Sequence, residues 1–350
     1  MSYATTRKCK RSNFTIAIIL SALTLLALFA ANLLWGAVEI PLGKVISILT
    51  GGEGDPGWRL IVLESRLPQA VTAMFAGMAL SAAGLMLQTL FNNPLAGPEV
   101  FGINSGAGLG VAIVMLLLNG TLASGGLSFG GYAAILSGAF IGALAVIAIL
   151  LLLSMWLRNN IYLLIAGLAV SYLTSSVITL LNYFSTAEGV HSYLIWGMGS
   201  FGGVSTAQLP LFATLLIVTL TASLLMVKPL NALLLGDAYA ANLGVKTKSA
   251  RGVLLALTGI LTAGVTAFCG PIAFIGLAVP HIARLFLSTN NHIFLLPATI
   301  LWGGATALLC NLLCQLPGSS GLLPLGAVTP IIGAPVILYV VIKRRGISAS

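Results

Sequence analysis

The chain has 350 residues, of which 58% are apolar and only 7% are charged. A soluble domain carries roughly 25% charged residues, so this composition excludes a soluble enzyme, a secreted disulfide scaffold and a disordered chain. The net charge of +9 does not indicate nucleic-acid binding, because the basic residues lie at the ends of apolar segments and form no basic run on a soluble face. The composition predicts a polytopic membrane protein surrounded by lipid.

Apolar segments follow one another along the chain. The first, 14–35, is longer than the roughly 7–15-residue apolar core of a signal peptide, so we predict an uncleaved first span. A long polar stretch, 36–66, comes next, and a loop rich in Gly and Ser covers 185–206. Pro280 is expected to break or tilt the eighth span. The nine later spans are predicted near 68–89, 100–118, 131–156, 161–184, 207–227, 252–269, 272–287, 293–315 and 322–342.

Charge sorts these ten spans across the membrane. An even number of spans places both termini on one side. If that side is the cytoplasm, every basic residue except Lys44, Arg59 and Arg66 is cytoplasmic, as the positive-inside rule requires. We therefore predict one transmembrane domain over 1–350. It has cytoplasmic tails at 1–13 and 343–350, an extracytoplasmic loop at 36–66 and a cytoplasmic loop at 228–251.

A short motif occurs twice, half a chain apart. Gly97-Pro98-x-x-Phe101-Gly102 follows the second span, and 270–276 repeats the Gly-Pro-x-x-Phe pattern after the seventh. Two halves of five spans each would have opposite orientations in the membrane, because five is odd. Inverted repeats of this kind are a common construction in transporters.

Groups that could carry chemistry are scarce within the spans. Ion-coupled carriers commonly use Asp, Glu or His relays in the middle of a span. In this sequence such residues fall near the ends of the spans: Glu99, Asp237, His281 and Arg284. We interpret His281 as a structural hydrogen-bonding residue. The sequence has no G-x-x-x-x-G-K-[ST] loop, so ATP would have to be hydrolysed by another subunit. We predict no metal site, because further ligands at suitable spacing are missing around the cysteines. These are Cys9, Cys269, Cys310 and Cys314.

The cytoplasmic loop 228–251 is the longest on its side. Its middle part, 232–243, can form a short helix with one apolar face, and Gly236 and Gly244 would punctuate it. Such a helix can lie on the membrane surface or dock in a groove of a partner protein. The residues alone leave both alternatives open.

Further short motifs occur in a fixed order from Arg66 to Arg345. They are Arg66-Leu-Pro68; Gly77 through Gln88; Asn93-Pro94-Leu95-Ala96-x-Pro98; Gly102-x-x-x-Gly106-Ala107; Trp196-x-x-Gly199; Leu235-Gly236-Asp237; Leu243-Gly244-Val245; Gly270-Pro271-Ile272-x-Phe274-Ile275-Gly276-Leu277; Pro280-His281 with Arg284; Leu295-Leu296-Pro297; Leu323-Pro324-x-Gly326; and Gly333-x-Pro335. In this order and spacing they resemble the permease subunits of bacterial ABC importers for ferric siderophores, haem and vitamin B12.

The resemblance implies an all-α subunit of about ten transmembrane helices in the bacterial inner membrane. It implies a homodimer, or a heterodimer with a close relative, with two separate ATP-binding subunits beneath it and an extracytoplasmic substrate-binding protein outside. The chain would be a transport subunit and not an enzyme. It would bind no cofactor itself, because ATP and Mg²⁺ belong to the partner ATPase.

The resemblance also implies roles for individual residues. The ATPase-coupling loop corresponds to Leu235, Gly236, Asp237, Ala238, Ala241, Leu243, Gly244 and Val245, which settles the choice above in favour of a protein partner. The cytoplasmic gate corresponds to Asn93 and Leu95, with Asn159 and Asn160 at a second constriction. A structural motif corresponds to Gly270, Pro271, Gly276, Pro280, His281 and Arg284.

The chain departs from the family at its outer surface. In relatives, outward-facing Arg residues pair with acids of the binding protein, but Gln69, Asn311 and Gln315 stand where the family often has charged residues. We therefore expect the binding protein to dock on Arg66, with Arg59 and Lys44 as further contacts.

The cargo is the least determined property. A ferric siderophore is the default, because iron chelates dominate the family, while haem and vitamin B12 stay open. Two other classes compete with the importer reading. An ion-coupled secondary transporter predicts uptake that survives loss of the ATPase, and a non-transporting membrane scaffold predicts no uptake defect on deletion.

Overall fold

The computed structural model describes residues 2–36, 38–52, 55–117, 129–157, 160–315 and 323–348. These residues form helices joined by turns, and no β-strand occurs among them. The predicted all-α class is thus confirmed. The predicted tails are continuous with helices, since 2–13 belong to the first helix and 343–348 to the last.

The first half of the chain alternates long and short helices. A π-helical turn (Ile61–Arg66) leads into the fourth helix, and a 3₁₀ turn (Pro98–Phe101) precedes the fifth. The helices are α1 (Ser2–Leu34), α2 (Leu42–Leu49), α3 (Pro56–Leu60), α4 (Leu67–Leu90), α5 (Ile103–Ala112), α6 (Phe129–Trp156) and α7 (Asn160–Phe184).

The second half repeats this order after one intervening helix, α8 (Ala187–Gly197). Its helices are α9 (Leu209–Leu225), α10 (Val227–Leu233), α11 (Asp237–Asn242), α12 (Thr247–Cys269), α13 (Ile275–Leu287), α14 (His292–Cys314) and α15 (Leu325–Ser348). Each half therefore has a long helix, two short ones, a long one, a Gly-Pro turn, a short helix and two long ones. This order of elements supports the internal repeat.

Every predicted span coincides with a helix. Within the described residues, six helices are long and apolar enough to cross a membrane, and a seventh span results if α9 and α10, which are bent by 53°, count as one. The three remaining predicted spans are shorter apolar helices, at Ile103–Leu116, Ile275–Leu287 and Leu325–Val340. The protein is therefore a multi-pass membrane protein.

α4 lies at the centre of the bundle and runs antiparallel to α14. Small residues let the two helices approach closely, since a Cβ on Gly77 would overlap the carbonyl oxygen of Gly303. One turn further along, the Ser81 hydroxyl donates to the Thr299 carbonyl oxygen at 3.0 Å. The close approach explains why so much of α4 consists of buried Ala, Gly and Ser. Van der Waals packing of this kind, together with interhelical hydrogen bonds, drives helix association in lipid.

Two predicted irregular regions contain helices. The stretch 36–66 contains α2 and α3, and Val45, Ile48 and Val62 form a small apolar cluster of their own. α3, the π-helical turn and α4 together form one continuous apolar helix, Pro56–Leu90, which begins well before the predicted residue 68. The loop 185–206 contains α8.

Of the two expectations for Pro280, a break of the eighth span is wrong, because α13 continues through this residue, and a tilt stays a prediction. Proline lacks the amide that would bond to the carbonyl of the residue four positions earlier, here Gly276. That carbonyl lies against Gly84 of α4, where any Cβ would overlap it. The missing helical bond therefore falls where two helix backbones come into contact.

Candidate coupling and gate region

The segment 227–245 has an anchored part and an exposed part. In α10, Leu230 is fully buried and Leu233 is 5% exposed. By contrast, Leu235, Tyr239 and Leu243 are 54–61% exposed, with Tyr239 on α11 and the two leucines just before and just after that helix. The segment thus presents an apolar face at the end of the bundle that the charge distribution predicts to be cytoplasmic. We call this the inner end.

The single helix predicted across 232–243 is wrong, because the chain bends at Gly236. Gly236 has φ +94° and Gly244 has φ +82°, conformations that residues with a Cβ rarely adopt. α10 therefore stops at Leu233, and α11 starts at Asp237. Ala238 and Ala241 are exposed on α11, and Val245 is half-buried where the chain returns to the bundle.

An ion pair ties α11 to the start of α12. The Asp237 carboxylate accepts from the Arg251 guanidinium, with 49% of the Asp237 side chain exposed and 16% of the Arg251 side chain exposed. A pair this accessible contributes little stability in general, because water screens it. It is a side-chain contact between the first residue of α11 and the second turn of α12.

The predicted gate residues Asn93 and Leu95 lie in a tight turn after α4. The Asn93 side-chain oxygen accepts from the Leu95 amide at 2.9 Å, and Asn92 before it has φ +45°. Leu95 is 45% exposed. The Pro94 carbonyl oxygen contacts His281 Nε2 of α13 at 2.8 Å, and a carbonyl can only accept, so the imidazole donates. His281 thereby holds the turn against α13.

The two other predicted gate residues, Asn159 and Asn160, have no described side chains. Residue 159 lies outside the described residues, and α7 begins at Asn160, whose side chain is also outside them. Their approach to Asn93 and Leu95 therefore stays a prediction.

The turn 270–274 brings the two halves of the chain together. Gly270 has φ +74° and Phe274 has φ +67°, so both residues are in left-handed conformations. The Phe274 backbone N–H donates to the carboxylate of Glu99, which belongs to the equivalent turn of the first half. Burial raises the pKa of the Glu99 carboxyl above its usual range, and bonds from the backbone N–H groups of Glu99 and Phe274 partly oppose this.

Arg66 is not placed for docking. It is 4% exposed, and its guanidinium donates to the carbonyl oxygens of Leu33 and Leu34, both at 3.0 Å, and to that of Val38. The side chain thus closes the end of α1, where helix carbonyls have no intrahelical partner. Lys44 and Arg59, by contrast, are exposed.

Sequence reasoning missed a polar cluster at the inner end. Asn231 of α10, Asn291 and His292 at the start of α14, and Thr89 at the end of α4 are joined by hydrogen bonds of 2.8–3.0 Å. The only signal in the sequence is that these polar residues interrupt apolar runs. Their mutual contact requires the fold.

No grouping of three or more His, Cys, Asp or Glu side chains that could hold a metal ion occurs among the described residues. Cys269, Cys310 and Cys314 are buried and free.

Comparison with known proteins relates the whole bundle to membrane permeases. Residues 23–343 match the FecCD transport family. The vitamin B12 import system permease protein BtuC of Shigella boydii is 36% identical over 97% of this chain and 98% of its own length. The hemin transport system permease protein HmuU of Yersinia pestis is 34% identical, covering 94% of this chain and 96% of its own.

A solved structure shows the same architecture. It is described as an inward-facing conformation of an ABC transporter assigned to the metal-chelate type. It superposes with a TM-score of 0.81 at 28% identity and covers 93% of this chain and 98% of that one. The similarity therefore extends over nearly the full length of both chains.

Proposed function

Because the chain belongs to the FecCD transport family, we propose that it is the membrane-spanning permease subunit of an ATP-driven ABC importer in a bacterial inner membrane. The observation that carries the proposal is the segment 227–245. Leu230 and Leu233 pack it against the bundle, and Leu235, Tyr239 and Leu243 are exposed at the inner end. An apolar face on a short helix fits the groove of a partner protein.

We propose four partners for the chain, on the basis of its family. Two copies of a separate ATPase would each receive one α11, and they would bind the ATP and Mg²⁺. A second copy of the permease would complete the translocation path, and a substrate-binding protein would deliver the cargo from outside. Closure of the ATPase dimer would move α11, and rigid-body rotation of the two permease subunits would change which end of the path is open.

We further propose that the cargo is an organic chelate of a transition metal, with a ferric siderophore as the first candidate. The resemblance to iron-chelate permeases and the solved structure of metal-chelate type support this class. Vitamin B12 and haem are the competing cargoes, because relatives of nearly equal identity are named for them.

Uptake in living cells tests the proposal. Radiolabelled ferric chelate, cobalamin and hemin would be supplied to a strain lacking this chain and to the restored strain. Loss of one label on deletion, and its return on restoration, is the expected result and identifies the cargo. Unchanged uptake of all three would contradict the importer function and favour a non-transporting scaffold.

A further inference from the structure

We propose that Thr89 and His292 are positioning residues in a buried hydrogen-bonded relay that links the coupling segment 227–245 to the gate turn 92–97. The inference rests on the proposed function, since it concerns how movement of the ATPase reaches the gate.

The first part of the relay joins the coupling segment to α14. The Asn231 side-chain oxygen accepts from the His292 backbone N–H at 2.8 Å and lies 3.0 Å from His292 Nδ1. The Asn231 amide nitrogen donates to the Asn291 side-chain oxygen at 2.9 Å. Three bonds thus converge on one side chain of α10, so α10 cannot shift relative to the start of α14 without breaking them.

The second part joins α14 to α4. His292 Nε2 lies 2.8 Å from the Thr89 hydroxyl. Because Nδ1 faces an amide oxygen, it must donate, and Nε2 of the neutral imidazole is then an acceptor. The Thr89 hydroxyl has one proton and a second acceptor in its own helix, the Leu85 carbonyl oxygen at 2.9 Å, and we assign that proton to Nε2, which has no other donor among the described residues. His292 is 1% exposed and Thr89 is 3% exposed. Leaving a polar group without a partner at such a buried site is destabilising, which favours joint movement over separation.

The third part leads from α4 to the gate turn. Gln88, next to Thr89, accepts from Arg284 of α13 at 2.6 Å and donates to the Leu277 carbonyl oxygen at 3.1 Å. One turn before Arg284, His281 donates to the Pro94 carbonyl oxygen at 2.8 Å. The Gln88 carbonyl also accepts from the Asn93 amide at 3.0 Å. The gate turn is therefore bonded both to the end of α4 and to α13.

These contacts give a continuous connection from the ATPase-facing helices to Pro94 and Asn93. Every step is a direct hydrogen bond or a single helix segment, and Leu230 and Leu233 pack α10 against the bundle alongside it. A purely structural role for the cluster predicts that breaking it lowers stability. A relay predicts something different, namely that ATP hydrolysis continues while the gate responds less.

The test uses the complete complex of permease, ATPase and binding protein in proteoliposomes. Thr89→Val removes the hydroxyl at nearly constant volume, and Thr89→Ser keeps it. Thr299→Val is the matched control, because Thr299 is fully buried on α14 but its hydroxyl donates only within its own helix, to the Leu295 carbonyl oxygen at 2.7 Å. Transport of the three labelled chelates and ATP hydrolysis would be measured together.

The relay predicts that Thr89→Val lowers the amount transported per ATP hydrolysed by roughly 2- to 30-fold, whereas Thr89→Ser and Thr299→Val keep the wild-type ratio. A second measurement needs no cargo. A fluorophore on Leu95→Cys, with Cys9 changed to Ser, should respond to ATP in the wild-type background and lose most of that response in Thr89→Val.

The outcomes separate the relay from the proposed function. If the wild-type complex transports chelate and Thr89→Val matches Thr299→Val in both measurements, the relay is overturned and the importer function stands. If the wild-type complex transports none of the three chelates, the proposed function fails and the relay with it. If Thr89→Val lowers ATP hydrolysis and transport equally, with an unchanged ratio and fluorophore response, the cluster is structural.

Discussion

Gln69 Nε2 donates to Asn311 Oδ1 at 3.0 Å and joins α4 to α14 at the end of the bundle opposite the coupling segment. Asn311 in turn donates to the Asn32 side-chain oxygen of α1 at 2.8 Å. Three helices are thereby held by neutral amides at positions 69 and 311, where the resembled family often has Arg and Asp. Because both charges are replaced together, neither is left buried without a partner, a state that is strongly destabilising.

A charge swap tests this pairing. Asn311 is 2% exposed, so Asn311→Asp buries a carboxylate. If that carboxylate stays ionised and unpaired, the free energy of unfolding should fall by about 3–5 kcal/mol. We expect a clear fall in the melting temperature of the purified protein in detergent. Adding Gln69→Arg should restore much of the loss, since the guanidinium can pair with the new carboxylate. A double variant that melts no higher than Asn311→Asp alone would show that the two residues are not coupled.

The close contact of α4 and α14 predicts opposite effects for two Gly→Ala changes. At Gly77 the new Cβ would overlap the Gly303 carbonyl, and overpacking of this kind costs about 1–3 kcal/mol or more. At Gly252 on α12 no heavy atom lies within 4 Å of the new Cβ. There the substitution should be neutral or stabilise by up to about 1 kcal/mol through helix propensity. Melting curves of the two variants compare them directly, and equal shifts would contradict the packing described here.

The buried carboxyl of Glu99 should make the stability of the protein depend on pH. Its folded-state pKa is raised, so its contribution to stability is present at low pH and is lost as pH rises from the ordinary carboxyl range through the raised value. Glu99→Gln should remove this contribution to the slope of melting temperature against pH and keep a hydrogen-bond acceptor for the Phe274 amide. Identical slopes for wild type and Glu99→Gln would show that the carboxyl does not titrate in this range.

Substitution of the exposed cations Lys44 and Arg59 should have a different effect from substitution of the buried cation Arg66. Lys44→Glu with Arg59→Glu should weaken capture of the binding protein and change its salt dependence, because exposed charges act through screened electrostatics. Arg66→Gln should instead lower stability, since the carbonyls of Leu33 and Leu34 lose their donor. Binding measured at two salt concentrations, beside a melting curve, separates the two. A salt-dependence change with Arg66→Gln and none with the surface pair would reverse this assignment.

The exposed face of the coupling segment can be tested by one charge. Tyr239→Asp places a carboxylate in the apolar face and should abolish co-purification of the ATPase, because an unpaired charge in a buried interface is costly. Ser249→Asp is the control, since Ser249 is exposed beyond α11 at the start of α12. If both variants retain the ATPase equally, α11 is not the contact.

Sequence reasoning recovered the parts of the fold that depend on local composition. The apolar runs marked every long helix, and the repeated Gly-Pro-x-x-Phe motif located the two turns that Glu99 and Phe274 join. It missed α2, α3 and α8, because helices of 8, 5 and 11 residues are no longer than the shortest of the roughly 11–18-residue windows in which helical periodicity is recognised. It placed one short helix across 232–243, whereas the chain bends at Gly236, where φ is +94°.

The site was harder to predict than the fold. Leu235, Tyr239 and Leu243 are exposed, as a partner contact requires, although the bend at Gly236 separates Leu235 from α11. The sequence predicts that Arg66 faces outward, and only the carbonyls at the end of α1 show that it is enclosed. Thr89 and His292 are 203 positions apart, so nothing local could pair them. Long-range polar contacts of this kind become visible only when the helices are assembled.

We propose that ATP hydrolysis on a partner subunit drives import through this chain. The most direct measurement is uptake of labelled chelate into proteoliposomes that contain the permease, its ATPase and the binding protein, with and without an ionophore. We predict uptake that requires hydrolysable ATP and the ATPase subunit and that is unaffected by collapse of ion gradients. Uptake that persists without the ATPase and disappears with the ionophore would contradict this account.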